Sequence, residues 1–258
     1  TGDKIIKVND AVIADKSLDE IVNLIRGPRG TEVKLTISRD DWTETKDIKI
    51  IRGIIKIPSL KWELKNGNIA YIKLYQFSKS ADFDFRKIAL EILDSPAEKI
   101  ILDLRNNPGG YLEVSQSIAG WFLKKGDIVV SEDFGDERKK NEYRANGPEK
   151  LFSYPIALLV NKGSASASEI LAAAIRDNRG AKLIGEKTYG KGSVQVLERL
   201  KNGASIKITV AKWLTPKNKL INGVGLEPDI EVEIRKEDYK EEKDPQLDKA
   251  IEIIQKIK

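Results

Sequence analysis

Apolar and polar residues alternate in two short stretches near the start of the chain, and a helical spacing lies between them. In GDKIIKVND the apolar residues Ile5, Ile6 and Val8 are set among charges and then turn, which predicts a strand. Ser17 followed by Glu20 spells a capping box. Behind it, LDEIVNLI puts Leu18, Ile21, Val22 and Ile25 on one helical face, and Gly27, Pro28 and Gly30 stop the helix. TEVKLTISR then alternates as a strand through Val33, Leu35 and Ile37. Residues 1–50 therefore read as one small α/β piece. Residues 51–62, broken at Pro58, read as a linker.

From residue 63 to 235 the pattern predicts a larger domain. NIAYIKLYQF reads as a strand, and DFDFRKIALEIL (82–93) as an amphipathic helix with Asp82 or Asp84 near its start. KIILDLR (99–105) and PIALLVN (155–161) are continuous apolar runs, the signature of strands buried on both faces. NNPGG makes a turn after the first of them, and YLEVSQSIAGWFL (111–123) reads as a helix. GSASASE follows the second run and leads into a helix over EILAAAIRD (169–177). AKLIGE (181–186) is a further strand, and SVQVLERL, ASIKITVAKWLT and DIEVEI alternate as strands. Residues 236–258 end the chain in an amphipathic helix over PQLDKAIEIIQKIK. Strands alternating with helices predict a mixed α/β fold with a parallel or mixed sheet.

Composition narrows the chemistry mainly by what is missing. The 258 residues include no His and no Cys. A Ser–His–Asp triad, a Cys–His dyad, a His metal site, a disulfide and a zinc–thiolate cluster are therefore all excluded. The net charge of +5 is spread over both signs, with no basic patch interleaved with aromatics, which argues against a nucleic-acid partner. There is no Met, so the chain is expected to be a fragment or a mature form of a longer precursor. No run of about 18 apolar residues occurs, so a membrane anchor or signal is expected only upstream.

A Ser or Thr hydroxyl is inert at neutral pH, so with His and Cys absent another base must take its proton, and Lys can serve. A lysine serves as a base only if its pKa falls from about 10.4 to roughly 7–8, which needs about 4 kcal/mol of preference for the neutral amine. Burial in an apolar pocket supplies that, and a neutral orienting partner preserves it. Ser166, in Gly163-Ser164-Ala165-Ser166-Ala167-Ser168-Glu169, lies between a buried strand and a helix start. There the free backbone N–H groups offer an oxyanion hole. The competing reading is that Ser166 or Ser168 simply caps the helix. Lys191, in Thr188-Tyr189-Gly190-Lys191-Gly192-Ser193, competes with many surface lysines. If residues 191–195 are extended, Gln195 shares its side and orients the amine without adding charge. NNPGG offers the N–H of Gly109 or Gly110 at a strand's carboxyl end, where ligands of open α/β sheets bind. A plain strand-to-helix turn is the alternative. Gly185 to Lys191 nearly spells a phosphate loop, but Gly192 stands where Ser or Thr is required and a strand follows instead of a helix.

Four strings, LDLRNNPGG, VNKGSASASEI, GEKTYGKGSVQ and INGVGLEPDI, occur in the order found in the carboxyl-terminal processing, or tail-specific, serine proteases, which nearly the whole chain resembles. The resemblance implies a crotonase-like β-α core with Ser166 as nucleophile, Lys191 as general base and Gln195 as its orienting residue. It also implies an oxyanion hole from the N–H of Ala167 and of Gly109 or Gly110, with Gly109 preferred. It implies no metal or cofactor, protein or peptide substrates cut near their C-termini, and an extracytoplasmic location in bacteria. An upstream membrane anchor and homo-oligomerisation are left open. GDKIIKVND and the elements after it resemble the C-terminal half of a PDZ domain, without the front half that carries the carboxylate-binding loop. The alternative expectation is a catalytically inactive PDZ-linked peptide-binding module.

Overall fold

A computed structural model of the chain describes residues 3–39, 41–54, 58–135, 140–200, 203–235, 237–238 and 241–257. The chain divides into two units, Thr1–Ile57 and Pro58–Lys258.

The first unit is a four-stranded antiparallel sheet in the order β2-β1-β3-β4, made from β1 (Lys4–Val8), β2 (Ala11–Val12), β3 (Glu32–Ser38) and β4 (Lys46–Ile51). Helix α1 (Leu18–Ile25) joins β2 to β3, and the Ser17–Glu20 capping box starts it as its spacing predicts. Val8, Val33, Leu35 and Ile37 form the small core. Ile21, Val22 and Ile25 are half-buried, whereas Leu18 in the first turn of α1 is exposed.

The second unit is built on a six-stranded sheet in the order β14-β11-β10-β7-β6-β5. Its strands are β5 (Leu60–Lys65), β6 (Ile69–Leu74), β7 (Lys99–Asp103), β10 (Ile156–Val160), β11 (Lys182–Gly185) and β14 (Ile230–Glu231). All neighbours are parallel except β5 on β6, which is an antiparallel hairpin at the edge. Parallel strands need cover on both faces. Helices α2 (Ala81–Leu93), α3 (Leu112–Phe122) and α4 (Ala167–Arg179) pack on one face, and α5 (Pro245–Lys256) on the other. This is why KIILD and IALLV read as unbroken apolar runs: alternate side chains go to opposite cores. Ile100 and Leu102 join Phe77, Phe85 and Phe122, whereas Ile101 joins Ala250 and Ile254 of α5. A second, antiparallel sheet has the order β12-β13-β8-β9, from β8 (Ile128–Asp133), β9 (Asn141–Arg144), β12 (Ser193–Arg199) and β13 (Ser205–Leu214).

The structure corrects several expectations. The stretch read as a linker holds the end of β4 and the start of β5, which joins the main sheet. Of DIEVEI only Ile230–Glu231 pairs, against β11. Helix α4 starts at Ala167, two positions ahead of its expected start at 169. The C-terminal helix is an integral layer of the larger unit: its apolar face covers β7, β10 and β11.

Candidate active site

Ser166 sits where β10 ends and α4 begins. A five-residue turn separates the strand from the serine, and its backbone is held from several sides. Ser164 Oγ donates to the Leu104 carbonyl at 2.8 Å and accepts from the Asn161 N–H at 3.0 Å. The Ala165 N–H donates to the Asn107 carbonyl at 3.0 Å. Ser166 has φ +57° and ψ −119°, a region that non-glycine residues enter only when the surroundings impose it. The same residue is the N-cap of α4, so the capping position and the candidate nucleophile coincide. Ala167 is the first helical residue, where N–H groups have no partner inside the helix.

The turn after β7 lies against this corner. Gly109 has φ +98°, and a Cβ there would fall 2.8 Å from the Ser166 Cβ, 2.7 Å from the Ala165 oxygen and 3.0 Å from the Ala167 nitrogen. Only a glycine allows that approach. The Gly109 N–H is engaged within its own turn, donating to Asn107 Oδ1 at 2.9 Å. Gly110 turns toward another neighbour: a Cβ on it would fall 2.2 Å from the Phe77 carbonyl oxygen. Among the described residues no acceptor takes the Gly110 N–H.

Glu169 organises the site. It is fully buried, and both of its oxygens are occupied. Oε1 accepts from the Gly190 N–H at 2.7 Å and from the Thr188 hydroxyl. Oε2 accepts from the Ser166 N–H at 2.9 Å and from the Lys191 N–H at 3.0 Å. A buried carboxylate is tolerated only with such a set of donors. Thr188 Oγ1 in turn accepts from the Leu226 N–H at 2.7 Å, and the Gly190 carbonyl accepts from Gly223 N–H at 2.8 Å. The INGVG string thus braces the loop that carries Lys191.

The structure brings the backbone of Lys191 to the nucleophile's corner but leaves its side chain exposed. Among the described residues no hydrogen bond joins that side chain to Ser166 or Gln195. Gln195 is exposed as well, and β12 begins at Ser193, so the extended run expected from 191 starts two residues later. Glu169, Asn107 and Thr188 escaped the sequence reading. Only Glu169 had a signal, the Ser-x-x-Glu spacing of a capping box.

A second polar cluster lies under the turn. Arg105 donates from Nη2 to Asp103 Oδ2 at 2.7 Å, and from Nη1 and Nη2 to the two oxygens of Asp244 at 2.8 Å each. The Tyr71 hydroxyl donates to Asp103 Oδ2 at 2.6 Å. Burial alone would raise the Asp244 pKa, but the hydrogen bonds and charge of Arg105 outweigh it and hold that carboxyl below its ordinary value. Burial, with the Asp103 charge beside it, pushes the Tyr71 phenol upward. Asp244 is also the N-cap of α5, so this network ties the last helix to the strand that leads into NNPGG.

The model of "Peptidase family S41" matches residues 68–232, which include every residue named at this site except Asp244. A "Probable CtpA-like serine protease" of Staphylococcus aureus is 38% identical over 234 residues, 91% of this chain and 47% of that protein. A protein with the same description from Staphylococcus epidermidis is 36% identical over 230 residues, 89% of this chain and 46% of that protein. The chain thus spans about half the length of the curated relatives it matches. The solved photosystem II D1 C-terminal processing protease superposes with a TM-score of 0.69 at 25% identity, covering 90% of this chain and 64% of that one. On the family match and the identity to these relatives, the chain belongs to peptidase family S41.

Proposed function

We propose that the chain is the catalytic part of a serine endopeptidase that uses Ser166 as nucleophile and Lys191 as general base. The observation that carries this reading is the shared anchorage of the two residues: both backbones are bound to one oxygen of Glu169, in a corner whose serine holds a strained conformation. In this reading the lysine side chain turns inward to the serine, and Gln195 on the following strand is the neutral group that orients it. Lys191 then takes the Ser166 proton as Oγ attacks a peptide carbonyl. The Ala167 N–H and an N–H of the Gly109–Gly110 turn stabilise the oxyanion, with Gly110 supplying the one not already engaged. Lys191 returns the proton to the leaving amine, and water releases the acyl group.

The relatives' names and the resemblance of the four strings support protein substrates cut near their C-termini. The resemblance alone supports an extracytoplasmic location, a PDZ-like first unit, an upstream membrane anchor and a homo-oligomeric assembly. The competing reading is a catalytically inactive peptide-binding module, and the exposure of Lys191 and Gln195 is what favours it.

Digestion of an unfolded test protein, read by mass spectrometry, tests the proposal. Cleavage near the C-terminus by the parent chain, and its loss in folded Ser166→Ala, is the expected result. Cleavage that survives Ser166→Ala would remove the nucleophile assignment, and no cleavage by any form would favour the inactive module.

A further inference from the structure

Asn107 lies between the Arg105 network and the Gly109 turn, and the dyad has no use for it. It is fully buried, so each of its polar groups must find a partner inside the protein. Its Nδ2 donates to the Leu74 carbonyl at the end of β6, at 2.8 Å. Its Oδ1 accepts the Gly109 N–H at 2.9 Å. Its backbone carbonyl accepts the Ala165 N–H at 3.0 Å and the Ser168 hydroxyl at 2.8 Å. Ala165 and Ser168 stand on either side of Ser166. One residue therefore holds two walls beside Ser166: the glycine turn through its side chain, and the serine corner through its carbonyl.

Gly109 takes its φ of +98° freely, but the serine corner contains a backbone that would relax if released, with φ +57° at Ser166. Conformations of this kind persist only where the surrounding contacts over-determine them. The side-chain requirement is also specific. Leucine has similar bulk but neither donor nor acceptor, and aspartate can hold the Gly109 N–H but cannot donate to Leu74.

We propose that Asn107 is a positioning residue for peptide hydrolysis, fixing the separation between the Ser166 corner and the Gly109–Gly110 turn and so the geometry of the oxyanion site. This inference rests on Ser166 being the nucleophile. Oxyanion donors act over a narrow range of distance, and a displacement of about 1 Å costs on the order of 100-fold in rate. The effect belongs to the transition state, so it falls on kcat and leaves KM in place.

The test uses the full chain and its Asn107→Leu, Asn107→Asp, Ser168→Ala and Ser166→Ala variants. Peptide hydrolysis is followed at steady state, with competent sites counted by end-point reaction with a serine-directed fluorophosphonate and folding checked by circular dichroism. The expected result for Asn107→Leu is a kcat per counted site lower by about 10- to 100-fold with KM within about twofold, and partial recovery in Asn107→Asp. A residue that only supports stability would lower the number of competent sites and leave kcat per site unchanged, which would overturn the inference, as would a loss confined to KM. Ser168→Ala removes one bond to the Asn107 carbonyl and leaves the glycine turn alone, so it decides the question if the Asn107 variants do not fold. A fall in its kcat of about threefold or more per site supports the inference, and an unchanged value overturns it. Hydrolysis that survives Ser166→Ala would overturn the dyad reading and this inference with it. Loss in Ser166→Ala beside normal Asn107 and Ser168 variants would overturn this inference alone.

Discussion

Ser166 and Lys191 donate their backbone N–H groups to the same oxygen atom, Glu169 Oε2, at 2.9 and 3.0 Å. The two residues come from different segments, one opening α4 and the other leading into β12, and a buried carboxylate joins them. The loop that carries the lysine is therefore already fixed beside the serine while the lysine side chain stays in solvent. On the proposed reading, the dyad would assemble by movement of the lysine side chain while this backbone anchor stays in place.

Glu169→Gln keeps the volume of this anchor but turns one acceptor into a donor that faces N–H groups. The expected cost is about 1–3 kcal/mol of stability, from a buried donor set left partly unpaired. The expected fall in kcat/KM is on the order of 100-fold, because the serine and lysine backbones lose their common reference. Thermal melting and steady-state kinetics on the same preparation check both figures.

Gly109→Ala is predicted to abolish proteolysis while the rest of the larger unit remains folded. The added Cβ would lie 2.8 Å from the Ser166 Cβ, against backbone atoms that cannot swing away, in a φ that side chains disfavour. The strain is worth about 1–3 kcal/mol. Loss of cleavage with an unchanged circular dichroism spectrum is the expected outcome, and full activity would show that the turn can yield.

The Asp244–Arg105 pair gives a pH prediction with a definite sign. The folded pKa of Asp244 is depressed, so its contribution is present above the unfolded carboxylate value, near 3.9, and is lost as pH falls through the folded value. Asp244→Asn should cost about 1–2 kcal/mol at pH 7, since a third of the side chain is exposed and solvent screens the pair. It should cost little once the pH has fallen below the folded value. Urea unfolding of parent and variant at pH 7 and along an acid series measures the difference.

Much of this architecture was legible in the sequence because its cause is local. The runs KIILD and IALLV announce strands covered on two faces, and the Ser17 and Glu20 pair starts α1 where it should. β5 was missed because an edge strand such as LKWELK carries charges that resemble a linker. β8 and β9 pair antiparallel, and no periodicity reveals those partners. Within the site, the position of Ser166 between strand and helix could be read directly. The exposure of Lys191 could not, because the side-chain direction of a loop residue depends on what its neighbours leave open. Asn107 was hidden for a different reason: the NNPGG string reads as turn chemistry, and only the packing of the serine corner shows that one of its asparagines serves both walls.

The most direct measurement of the Ser166–Lys191 dyad is the rate at which a serine-directed fluorophosphonate modifies the chain, with the adduct located by peptide mass mapping. The account predicts a single adduct on Ser166 and a rate at least about 100-fold slower in folded Lys191→Ala, since the base that activates the hydroxyl is gone. An adduct on another residue, or equal rates in the parent and Lys191→Ala, would contradict it.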